Sequence, residues 1–104
     1  MAWIVLIVAG VLEVVLAYSM KLSDGFSRIG YSCVAVAAMI SSIGLLSLSM
    51  KSLPLGTAYT VWTGIGAVGS FLLGVILLGE PASTLRVVAA VLIVSGLIVM
   101  KLSS

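Results

Sequence analysis

Ala2-Trp-Ile-Val-Leu-Ile-Val-Ala-Gly-Val-Leu-Glu13-Val-Val-Leu-Ala-Tyr-Ser-Met20 is an apolar run that contains one charged residue, Glu13, just past its middle. About 20 residues at a helical rise of 1.5 Å cross the ~30 Å hydrocarbon core of a bilayer, so the run predicts a membrane-spanning helix. A carboxylate at that depth costs roughly 2.5–3.5 kcal/mol on insertion scales. Acidic residues inside spans usually mark an ion site, a proton site or the route of a charged substrate.

The whole composition is that of an integral membrane protein. Of the 104 residues, 62% are hydrophobic and 8% are charged, whereas a soluble domain has about 25% charged residues. The first run lacks the basic segment and small-residue cleavage site of a signal peptide, so we expect it to be retained. A soluble enzyme is excluded by this composition, and no nucleophile–base pair is visible, so we do not expect an enzyme.

Metal, cofactor and nucleic-acid binding are also not expected. Cys33 is the only cysteine and histidine is absent, so no Cys/His cluster exists to hold a metal ion. The five basic residues are scattered along the chain, which does not resemble the clustered charge of a nucleic-acid-binding surface.

Charged residues and prolines divide the chain into four apolar runs of about 20 residues each. Helices are the only open-chain structures that satisfy every backbone polar group within lipid. We therefore predict a single all-α membrane domain over residues 1–104. Its four transmembrane helices are expected at about 2–20, 29–50, 56–78 and 84–102.

The basic residues give almost no orientation signal. Four spans place both termini on one side, which carries Lys51 and Lys101, while the other side carries Lys21, Arg28 and Arg86. Two basic residues on one side and three on the other give almost no positive-inside bias. The chain is expected to insert both ways as an antiparallel, dual-topology homodimer, and a single weakly biased orientation is the alternative. A lone four-helix bundle of this size hardly encloses a substrate cavity, which also favours an oligomer.

Glu13 shares a helix face with small residues. Gly10 and Ala17 lie at i−3 and i+4 from it, and small residues let another helix or a solvated cavity approach. A carboxyl group in this place can hold a proton, yet it can ionise when a cation comes close. Competition between a proton and a cation for one carboxylate is the minimal device for proton-coupled antiport.

The third helix carries a second group of candidate residues. Tyr59, Trp62 and Thr63 are spaced i, i+3, i+4 and give one face a phenol, an indole and a hydroxyl. Aromatic faces attract cations, so cavity lining is favoured over an interfacial belt for Trp62. The glycines that follow, Gly64 and Gly66, predict either close helix packing or a hinge, and the sequence does not decide between them.

These features together resemble the small multidrug resistance transporters along essentially the whole chain. The matching segments are Gly10-x-x-Glu13-Val-x-x-Ala17, Lys21-Leu-Ser-Asp-Gly25-Phe26-Ser-Arg28, Lys51-Ser-Leu-Pro54-Leu-Gly56-Thr57-Ala58-Tyr59, Trp62-Thr63-Gly64-Ile65-Gly66 and Gly79-Glu80-Pro81. The resemblance implies an antiparallel homodimer in the bacterial inner membrane whose two Glu13 carboxylates bind either protons or a cationic substrate. The Lys51–Gly66 stretch is most similar to the guanidinium-exporter branch.

That branch implies roles for individual residues. Glu13 would bind substrate and proton, Gly64-Ile65-Gly66 would form the bend in the third helix, and the pocket would be lined by Gly10, Leu16, Ala17, Ser42, Tyr59, Trp62 and Thr63. Leu16 departs from the tryptophan typical of the branch. The loss of that ring suits a roomier, more apolar pocket.

Three functional hypotheses follow. The first is a proton-coupled antiporter that exports guanidinium or substituted guanidines by alternating access. The second is an exporter of quaternary ammonium and other lipophilic cations from the same family. The third, from another class, is a non-transporting subunit of a paired heterodimer. Strong and opposite Lys/Arg biases in the two paired chains would favour it.

Overall fold

The computed structural model describes residues 1–103 and consists of four α-helices. They are α1 (Ala2–Leu22), α2 (Ile29–Ser49), α3 (Leu55–Leu77) and α4 (Thr84–Ser103). Each is long and apolar enough to cross a membrane, so the prediction of an all-helical chain with four spans is confirmed. Ser104, the last residue of the predicted domain, lies outside the described residues.

Short connections join the helices, and their ends differ from the predicted ones by at most two residues. The largest difference is at the end of α1, which continues to Leu22 because the Ser23 N–H donates to the Ser19 carbonyl, at 2.8 Å. The Ser23 hydroxyl also donates to the Met20 carbonyl and accepts the Phe26 N–H. These bonds hold a tight turn in which Asp24 and Phe26 have positive φ angles.

α1 is the central helix and packs against both α2 and α3. α4 packs mainly against α3, and its Lys101 Nζ lies over the Trp3 ring of α1, 4.5 Å from the ring centroid. The main cluster of buried apolar residues consists of Leu6, Ala9, Leu46, Ala58 and Val61. These residues come from the first half of α1, the end of α2 and the start of α3. The core therefore lies in the half of the bundle nearest the termini, and Glu13 lies beyond it, toward the Lys21 end of α1.

Glycines bring α1 and α3 close together. A Cβ built on Gly10 of α1 would stand 2.7 Å from the Ile65 Cγ2 of α3, and one built on Gly69 would collide with the Val14 side chain. Gly64 is likewise covered by Leu97 of α4. Small residues at helix contacts are typical of membrane bundles. Close packing is therefore observed at these glycines, whereas the hinge stays a prediction, since α3 is one continuous helix through them.

α4 differs from the other helices because none of its described residues is buried. Its contact with α3 leaves most of its apolar side chains exposed, including Val91, Leu92 and Val99. Lipid or another protein chain can cover such a surface in a membrane.

Candidate cation site between α1 and α3

Glu13 projects from α1 onto Gly66 of α3. A Cβ on Gly66 would overlap the Glu13 carboxylate, with the Cδ atom only 2.8 Å away. Glycine at position 66 is thus what allows a carboxylate to fit between the two helices. The side chain as a whole is partly buried, and the α3 backbone covers one of its two oxygens.

The Oε2 atom of Glu13 is fully buried and has no hydrogen-bond partner among the described residues. A buried acceptor left unpaired costs free energy of about 1–3 kcal/mol, and more when it is charged. Native structures rarely keep such groups without a functional reason. Either a proton on this oxygen or a cation that carries N–H donors would remove the cost.

A chain of two hydrogen bonds reaches α1 one turn before Glu13 and links three helices. The indole Nε1 of Trp62 donates to the Ser42 Oγ at 2.9 Å, and that hydroxyl donates to the Ala9 carbonyl at 2.7 Å. Ser42 is fully buried, and Ala9 lies one helical turn before Glu13. The structure thus singles out Ser42 among the serines of α2, a choice that the spacing in the sequence could not make.

Neither of these groups bonds the carboxylate in this arrangement, because the indole and the hydroxyl are engaged with each other and with α1. Trp62 and Ser42 are connected to α1 at Ala9, one helical turn before Glu13. Their role in lining a pocket stays a prediction.

Tyr59 and Thr63 lie on the other side of α3. The Tyr59 ring contacts the Trp62 ring, with 5.7 Å between centroids and 46° between planes. Both Tyr59 and Thr63 are exposed and line a groove of about 510 Å³ between α3 and α4. Within one chain they are not brought to Glu13, so they can line the same pocket only if helices of a second chain complete it.

The remaining predicted pocket residues lie within about one helical turn of Glu13 on α1. Gly10 lies under Ile65, and Leu16 is partly buried. Ala17 lies one turn beyond Glu13 and lines a separate cavity of about 180 Å³ between α1 and α3.

That cavity contains polar residues that the sequence did not single out as site residues. They are Tyr18, Lys21, Ser70 and Glu80. One available signal was the spacing of Gly66, Ser70 and Gly74, which repeats every four residues along one face of α3.

Comparison with known proteins identifies the family. The chain matches the profile of the Small Multidrug Resistance protein over residues 1–93. It is 55% identical over 104 residues to a protein of Yersinia pseudotuberculosis named "Guanidinium exporter", and the alignment covers 100% of both chains. A protein of Escherichia coli with the same name is also 55% identical over 104 residues, covering 100% of this chain and 99% of its own. The resemblance drawn from the sequence is confirmed, and the chain belongs to the small multidrug resistance family.

Proposed function

We propose that this chain is a proton-coupled exporter of guanidinium or small substituted guanidines. The observation that carries the proposal is Glu13, a membrane-embedded carboxylate with one oxygen buried and unpaired against Gly66. The names of the relatives that match the chain over its full length support the choice of guanidinium.

The chemistry of guanidinium suits this carboxylate. Its planar array of N–H donors pairs with the two oxygens of a carboxylate in a bidentate geometry. A cation binds Glu13 only in its ionised form, whereas a proton neutralises it. Each ligand therefore displaces the other, and export of the cation is coupled to entry of a proton.

The functional unit that we propose is an antiparallel, dual-topology homodimer in the bacterial inner membrane. Support comes from α4, which buries none of its described residues within one chain, and from Tyr59 and Thr63, which face away from Glu13. The bend at Gly64-Ile65-Gly66 would let α3 alternate between two shapes, so that the site opens to one side at a time.

The test is transport by the purified chain in liposomes. A guanidinium gradient should drive proton movement, measured as a current on a supported membrane, and Glu13→Gln should abolish it. Asp24→Asn is the matched control, because it removes a carboxylate from an exposed turn without touching the site. Equal currents from wild type and Glu13→Gln would refute the proposal.

Leu16 supports a second candidate, the export of quaternary ammonium or other lipophilic cations. An aliphatic side chain at this partly buried position replaces a ring that could stack on a planar guanidinium. If this candidate is correct, tetraethylammonium evokes a robust current and guanidinium evokes none. Leu16→Trp should then shift preference back toward guanidinium.

A further inference from the structure

A stripe of small and polar residues runs along α3 from the membrane centre to the Lys21 side of the bundle. Gly66, Ser70 and Gly74 are spaced four residues apart and share the face that α3 turns toward α1. Gly66 lies against Glu13, and Gly74, like Gly66, is covered by a carboxylate: a Cβ built there would collide with the Glu80 side chain. Two carboxylates thus lie against the same face of α3, with the Ser70 hydroxyl between them.

The position of Glu80 depends on a sharp change of direction after α3. Gly79 has a φ angle of +69°, a conformation that glycine adopts without strain. The chain then turns back so that the Glu80 N–H donates to the Gly74 carbonyl at 3.0 Å. This bond holds Glu80 over the end of α3 instead of leaving it in a free loop.

The cavity of about 180 Å³ fills the space between this stripe and α1. Its inner end is formed by Ala17 and Ser70, which lie four residues, or about 6 Å along the helix axis, beyond Glu13 and Gly66. Its outer end is formed by Lys21 and Glu80. The space is large enough for a few water molecules, each of which occupies about 30 Å³ in the liquid.

We propose that this cavity is a water-filled passage through which protons move between Glu13 and the aqueous side at the Lys21 end of α1. Ser70 supplies the hydroxyl at the inner end of the cavity, and Glu80 with Lys21 forms the mouth. The inference deepens the proposed proton-coupled export and rests on it, but it assigns protons a route within one chain that is separate from the route of the organic cation.

The way a proton moves favours protons over the organic cation in this passage. The titratable groups that line it are Tyr18 and Lys21 of α1 and Glu80 after α3, and among the described residues α2 and α4 contribute none. The ammonium of Lys21 and the carboxylate of Glu80 lie together at the mouth and offset each other, so charge there does not select between a proton and an organic cation. An organic cation must pass as a whole molecule, whereas a proton moves by exchange between hydrogen-bonded groups and needs no space of its own.

Cysteine labelling tests whether water fills the cavity, independently of transport. In a Cys33→Ala background, Ser70→Cys and Ala17→Cys are treated with a charged, membrane-impermeant methanethiosulfonate, which reacts with the thiolate. Leu72→Cys is the depth-matched control, since Leu72 lies two residues from Ser70 but is exposed on the surface of the bundle. We expect the cavity positions to react about tenfold faster or more, because a thiol ionises only where water reaches it. Rates no faster than that of Leu72→Cys at both positions would overturn the passage.

Blocking the cavity tests whether protons use it. Ser70→Leu fills the inner end, and Ser41→Leu makes the same change at an exposed serine of α2. Guanidinium affinity should change less than about twofold in both variants, while proton release on guanidinium binding should slow about tenfold in Ser70→Leu alone, a barrier increase of about 1.4 kcal/mol. The proton route would be refuted if Ser70→Leu released protons as fast as Ser41→Leu, or if its guanidinium affinity fell by as large a factor as its proton-release rate. Absence of proton release from the wild type would instead refute the proposed function, and the labelling result would still stand.

Discussion

At the scale of single residues, the contact between Glu13 and Gly66 makes the strongest prediction. Gly66→Ala places a methyl group where the carboxylate lies, so Glu13 must move. We expect guanidinium affinity, measured by calorimetry in detergent, to fall about tenfold, or about 1.4 kcal/mol. Gly44→Ala is the control, because a Cβ there meets no atom within 4 Å. An unchanged affinity in Gly66→Ala would show that this contact is not part of the binding state.

The pH dependence of binding follows from the chemistry of the same residue. Guanidinium binds the ionised carboxylate, so its apparent Kd should rise about tenfold for each pH unit below the range in which Glu13 titrates. The chain therefore binds guanidinium tightly at high pH and loses this affinity as the pH falls. Titrations across pH should show this dependence in wild type and in Asp24→Asn. A Kd that is independent of pH in wild type would contradict competition for one carboxylate.

At the scale of helices, Gly10 determines how closely α1 approaches α3. In Gly10→Ala the new methyl group would lie 2.7 Å from the Cγ2 and 2.8 Å from the Cβ of Ile65, and the Cβ cannot rotate away. Overpacking of this kind typically costs about 1–3 kcal/mol, so the free energy of unfolding, measured by circular dichroism in detergent and denaturant, should fall by that amount. Gly30→Ala in α2, where nothing lies within 4 Å, should leave stability unchanged or raise it slightly. Equal stabilities would mean that α1 and α3 separate at no cost.

The helices also show what a sequence can and cannot predict. The sequence alone singled out Glu13 as a candidate site residue, because a carboxylate at membrane depth is costly whichever way it faces. The sequence could not predict on which side of α3 Thr63 lies. Each residue turns the helix by about 100°, and the rotation of α3 about its axis is determined by contacts such as that of Gly64 with Leu97. For the same reason the spacing of the α2 serines could not select Ser42, which was named only through the family resemblance. Glu80 was missed because its position depends on the backbone turn at Gly79.

At the scale of the whole molecule, a single chain buries no residue of α4 over Thr84–Ser103 and places Tyr59 and Thr63 in the groove between α3 and α4, which Glu13 does not line. A second chain would cover α4 and would bring Tyr59 and Thr63 to a Glu13 carboxylate. Crosslinking of the chain expressed alone should therefore yield a dimer. A chain that stays monomeric would remove the homodimer and favour a paired heterodimer.

Orientation can be controlled through the few basic residues. With two on the side of the termini and three on the other, a C-terminal reporter should be found on both sides of the membrane. The double variant Arg28→Ala with Arg86→Ala leaves two basic residues on the side of the termini and one on the other side. The double variant Lys51→Ala with Ala82→Arg leaves one on the side of the termini and four on the other side. Because the side richer in Lys and Arg stays in the cytoplasm, each variant should insert in one orientation, and the two orientations should be opposite. An antiparallel dimer then requires that each variant alone loses export and that coexpression restores it. Full export by either variant alone would show that parallel chains suffice.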